Sequence, residues 1–200
     1  AMLQETPIER LLPTLVGRLQ NGEALDKLVA AGALANARTF GGEDYVGFHT
    51  MMALAPAYHM ALEMPEARRP LPVLKVLYRN TNRIQQHGGR PSEVLRQVEP
   101  GDVRPGQHGG EALQTAVRQR DLAEAEATFA ALSQAMTIDA LNHLLYAVAD
   151  NTEVHRIVMP YRAWDLLGII GPKHAHTLLR QSVHYCVKNE AHSVNSESAQ

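Results

Sequence analysis

Apolar residues recur at intervals of three and four along almost the whole chain, and the two-residue alternation of a half-buried strand is nearly absent. That spacing gathers apolar side chains on one face of a helix. The expected fold class is therefore all-α, a helical bundle or short helical stack. At 200 residues and 45% hydrophobic content, the chain is long enough to close a core of its own, so residues 1–200 are expected to form a single helical domain.

Glycine and proline divide the pattern into segments. Thr6-Pro7-Ile8-Glu9 reads as a capping box with proline at the first helical position, opening a stripe of Ile8, Leu11, Leu12, Leu15, Val16 and Leu19. Gly22 ends that helix, and a second runs from Glu23 to Arg38, before Gly41-Gly42. The next helix, Asp44 to Met64, has no Asp, Glu, Lys or Arg between Tyr45 and Leu62. It approaches the length of a membrane span, but His49, Pro56 and His59 interrupt it, so it is read as a buried central helix that Pro56 kinks or ends early. Pro70 and Pro72 start a fourth helix bearing Leu74, Leu77, Tyr78, Thr81 and Ile84. Later helices are expected from Glu111, from a cap at Asp121, over 137–149, over 152–169 and over 172–189.

Residues 88–110 hold six glycines and three prolines and read as a linker. On either side lie two segments, 6–87 and 111–190, of about four helices each. Leu12, Thr14, Val16, Glu23, Ala24 and Ala30 match Leu113, Thr115, Val117, Glu124, Ala125 and Ala131 at one constant offset. After a short insertion near Met136, Asn36, Asp44, His49 and Ala57 match Asn142, Asp150, His155 and Ala163, while Tyr58 meets Trp164. The two segments are therefore expected to be diverged repeats of one helical unit.

The pattern Asn, Asp, His recurs in both segments, with His about one turn after Asp on an apolar helix. Asp44 and Asp150 are expected to cap helix N-termini. The chain has ten histidines, and His49, His59, His143, His155, His174, His176 and His184 fall within or beside apolar helical segments. Burying imidazole needs a partner, so either a hydrogen-bond network or a shared metal is implied. In the metal reading, His49 and His155 with Asp44 and Asp150 are the ligand set and iron or haem the cofactor. His49 and His155 are the candidate acid–base groups, and His59, Trp164, His176 and His184 the candidate cofactor contacts. A small apolar or aromatic molecule is the expected ligand. No His-Glu-x-x-His, Glu-x-x-His, phosphate-binding loop or nucleophile elbow is present.

The formal charge of −2 gives no field that would draw the chain to nucleic acid or an anionic membrane. One cysteine, Cys186, fits a reducing compartment, and with no basic-then-apolar leader the expected location is cytoplasmic. Ala1 before Met2 reads as a residue left from a cloning tag.

Val154-His155-Arg156 through Ala163-Trp164, then His174-Ala175-His176-Thr177-Leu178-Leu179 and Ser182-Val183-His184-Tyr185, resemble the His-punctuated helices of questin oxidase-like proteins. The resemblance covers the last quarter of the chain, with His155, His176 and His184 as the matching positions. It implies an all-helical fold and an association with oxidative ring opening of aromatic polyketides. The leading expectation is thus a helical oxidoreductase or oxygenase with a His-lined apolar pocket. Its rival is a non-catalytic helical binding or scaffold module with structural histidines.

Overall fold

A computed structural model of the chain describes residues 2–103 and 106–197, with side chains described to residue 190. The described residues form α-helices and short 3-10 turns, and no strand occurs among them. The helices are α1 (Met2–Glu5), α2 (Ile8–Gln20), α3 (Leu25–Phe40), α4 (Tyr45–Glu63), α5 (Leu71–Gln86), α6 (Gly109–Arg118), α7 (Leu122–Leu132), α8 (Thr137–Ala149), α9 (Val154–Ile170) and α10 (Ala175–Glu197). No described helix is long and apolar enough to cross a membrane.

The chain divides into two compact units. The first comprises Ala1–Leu95 with Asp165–His174, the second Arg96–Trp164 with Ala175–Gln200. The first division falls inside the expected 88–110 linker, whose Arg104 and Pro105 lie outside the described residues. That linker is not a bare tether at its start, because the amides of Val94 and Leu95 both donate to the Arg38 carbonyl and Leu95 is buried.

In the first unit α4 packs against α3 and α5, α3 packs against α5, and α2 lies on α5. Leu28, Val29, Met51, Leu54, Leu77 and Ile84 are fully buried there, each contributing about 1.5–3 kcal/mol of burial free energy. Two local features let α3 and α4 meet. Gly41 adopts the left-handed conformation (φ 55°) and returns its amide to the Ala37 carbonyl at 2.8 Å, closing α3. Gly47 then presents no side chain to Phe40, whose ring lies 2.5 Å from where a Cβ would stand. α4 runs through Pro56 without ending. It is one-sided rather than wholly buried, because Tyr45, His59, Met60 and Leu62 face solvent.

In the second unit α6 packs on α7 and α8, and α10 packs on α6, α7 and α8. Asp121 caps α7 as expected, accepting from the Glu124 amide at 3.0 Å. Thr6 does not cap α2: Pro7 holds the cap position and no side-chain cap bond forms.

Candidate functional site

The first unit contains an almost wholly apolar cleft of about 360 Å³ between α4 and α5, lined by Tyr45, Val46, His49, Thr50, Ala53, Lys75, Val76 and Arg79. Its walls follow from helix periodicity. Tyr45, His49 and Ala53 succeed one another at four-residue steps on α4, and Lys75 and Arg79 do so on α5. The floor is fixed by a buried network. Asn36 on α3 donates from Nδ2 to the Gly47 carbonyl (2.7 Å) and Asn80 Oδ1 (2.7 Å), the Thr50 hydroxyl has the same two acceptors within reach at 2.7 and 3.1 Å, and Asn80 donates to the Gly32 carbonyl. Three helices are thereby pinned at the depth of the cleft.

His49 is half-buried, with Nδ1 2.7 Å from the Tyr45 carbonyl. That acceptor places the proton on Nδ1 and makes Nε2 the acceptor in neutral imidazole. The ring stacks on Phe48 at 4.8 Å and tilts against Tyr45 at 4.4 Å. Asp44 caps α4 as expected, accepting from Gly47 N at 2.7 Å, and Arg83 grips it through Nη2 at 2.6 Å and Nε at 3.0 Å. The Arg83 hydrogen bond outweighs burial and holds the Asp44 carboxyl below the usual range. Both carboxylate oxygens are thus already engaged.

The other expected site residues lie in different surroundings. His59 is exposed beside Tyr58. Asp150 sits at the C-terminus of α8, not at a helix start, where Arg118 (2.6 Å) and Gln114 (2.7 Å) bind it. The start of α9 is held instead by Glu153, which accepts from the amides of His155 and Arg156 at 3.1 Å. Glu153 also takes His155 Nδ1 at 2.7 Å and the Tyr185 hydroxyl at 2.8 Å. Burial pushes Glu153 up, but these hydrogen bonds prevail and keep its carboxyl low. Trp164 is part-exposed on α9, on one face with Val154, Ile157 and Tyr161. Asn142 is exposed where its sequence match Asn36 is fully buried.

His176 and His184 lie on α10 with Arg180 between them at four-residue spacing, facing Glu126 of α7. His184 Nε2 and Arg180 Nε are 2.6 and 2.7 Å from Glu126 Oε1. Burial raises Glu126, but His184 and Arg180 outweigh it and hold the carboxyl low. Burial lowers His176, helped by the Arg180 charge. Its ring stacks on Phe129 at 6.0 Å, and its Nε2 has no partner. A second buried pair, Arg156 with Glu190 at 2.6 Å, lies on α9 and α10. Burial pushes the Cys186 thiol up to about 12, so it is no nucleophile. Among the described residues no group of three or more His, Cys, Asp or Glu is arranged to hold a metal ion. Of the ligands expected for iron, Asp44 and Asp150 have their carboxylates engaged by Arg83 and by Arg118 with Gln114.

Sequence reasoning passed over Lys75, Arg79, Glu126, Glu153, Arg156, Arg180 and Glu190. The signal for two of the groups was present as four-residue spacing, Lys75-Arg79-Arg83 on α5 and His176-Arg180-His184 on α10. Compared with protein-family models, curated proteins and solved structures, the chain matches none.

Proposed function

We propose that the chain is a helical binding protein that holds a small, mainly apolar molecule in the α4–α5 cleft. The observation that carries this reading is the cleft itself, with its apolar walls, aromatic Tyr45 and imidazole of His49 at one edge. Ligand sites are commonly concave, apolar and furnished with a few polar groups. At about 30 Å³ per water-sized group, the volume suits about twelve non-hydrogen atoms, the size of a bicyclic aromatic. At about 0.3–0.5 kcal/mol per atom, such a ligand would bind with a Kd of about 0.04–2 mM.

The inferred duplication gives no second copy of this cleft, since the positions matching Lys75 and Arg79 are Gln181 and Tyr185. That repeat is itself a proposal resting on matched residues. The test of the binding reading is calorimetric titration with 2-naphthol as a neutral bicyclic probe. Wild type is expected to bind it, and Ala53→Trp, which fills the cleft, to lose it with an unchanged helical spectrum. Absence of binding, or equal binding by the filled variant, would overturn the reading.

An oxidoreductase, as the questin oxidase-like resemblance implies, is the second reading. The observation favouring it is the Glu153–His155 contact, which orients an imidazole as acid–base groups are oriented. Iron or haem found by elemental and optical analysis of the purified protein, and lost on His155→Ala, would support it. Their absence from wild type would count against it.

A further inference from the structure

The α5 wall of the cleft carries a row of cations at successive turns, Lys75, Arg79 and Arg83. Arg83 has its counter-ion, Asp44. Lys75 and Arg79 have none: no described carboxylate pairs with either. Like charges four residues apart on a helix repel. Both residues line the cleft, yet the cleft surface is almost wholly apolar. Their methylene stems therefore form wall and their charged heads stand at the mouth. An apolar chamber with two uncompensated cations at its rim is complementary to a molecule with an apolar body and an anionic end.

We propose that the ligand of the α4–α5 cleft is an amphipathic carboxylate, its hydrocarbon body between α4 and α5 and its carboxylate against Lys75 and Arg79. The inference rests on the binding reading above and adds the charge of the ligand. A guanidinium can take a carboxylate through two parallel N–H bonds, whereas the ammonium of Lys75 acts as a point charge. At a solvent-exposed rim each such pair is weak and screened by salt. The expected preference is accordingly modest: about three- to tenfold for carboxylate over a neutral body of the same shape.

The experiment compares 2-naphthoate with 2-naphthol and with 2-naphthylmethylammonium, by calorimetry at low and at 1 M salt, on wild type and on Lys75→Ala/Arg79→Ala. Both residues are exposed, so the variant is expected to keep its helical spectrum. A Lys75→Arg/Arg79→Lys variant preserves the charges if the alanine variant does not fold. The expected result is naphthoate bound most tightly and the ammonium least. The naphthoate-to-naphthol preference should shrink at high salt and vanish in the alanine variant, where the lost stems weaken both ligands alike, and persist in the charge-preserving variant. Equal affinity for naphthoate and naphthol in wild type, or a preference that survives the alanine substitutions, would overturn the inference while leaving the cleft as a site for neutral molecules. Failure of naphthol and naphthoate alike would overturn the cleft reading as well.

Discussion

The buried amide of Asn36 ties α3 to α4 and α5 through its Nδ2 hydrogens, while its Oδ1 has no partner. Replacing it with alanine removes the shorter donor to Asn80 Oδ1 and the α3 link to the Gly47 carbonyl, leaving the single Thr50 hydroxyl proton within reach of both acceptors. Asn36→Ala is expected to cost about 1–3 kcal/mol in urea unfolding. Ser182 presents the opposite case: it is buried and its hydroxyl has no partner. Ser182→Ala removes an unpaired polar group from the interior and is expected to be neutral or to stabilise by up to about 1 kcal/mol. A loss as large as that of Asn36→Ala would contradict this account of the α10 interior. Asp44 adds a pH dependence. Its folded pKa is depressed chiefly by Arg83, so its contribution is present above the unfolded value, about 4, and is lost as pH falls through the folded value. Asp44→Asn keeps a capping oxygen but loses the ion pair. It should lower stability by about 1 kcal/mol at pH 7, with the deficit closing as pH falls from about 4 through the depressed folded value.

At the scale of elements, the approach of α3 to α4 depends on what Gly47 lacks. A methyl group there meets the Phe40 ring, a buried and rigid neighbour. Alanine would gain about 1 kcal/mol of helix propensity, but the overpacking cost of about 1–3 kcal/mol is the larger effect. Gly47→Ala is thus expected to lower the unfolding midpoint and loosen the inner end of the cleft, whereas Gly17→Ala, with open space around it, is expected to raise it. The helices themselves were legible because the 3.6-residue period and the Gly and Pro breaks act locally. Asp44 and Asp121 could be read as caps for the same reason. Where capping depends on which of several polar residues reaches the amides first, sequence misled: Glu153 holds the start of α9 and Asp150 is drawn off by Arg118. Pro56 was expected to kink α4 or end it early, and the helix does not end there, because a buried apolar face compensates for one missing amide.

For the whole molecule, the all-helical class was readable from periodicity, and the site only in part. His49 was picked out by its apolar helix, and it does line an apolar cleft. Lys75 and Arg79 were passed over, since nothing in a linear pattern says that they line a cleft or that no carboxylate pairs with them. His176 and His184 were read as cofactor contacts, yet Arg180 and Glu126 engage His184 in a buried ion cluster that only the packing of α7 on α10 creates. The amphipathic-carboxylate cleft is the central claim, and backbone amide shifts on titrating 2-naphthoate into the labelled protein test it most directly. The account predicts the largest shifts in residues 45–53 and 75–79, saturating together, and their loss in Ala53→Trp. Saturable shifts centred on the α7–α10 residues, or no saturable shifts at all, would contradict it.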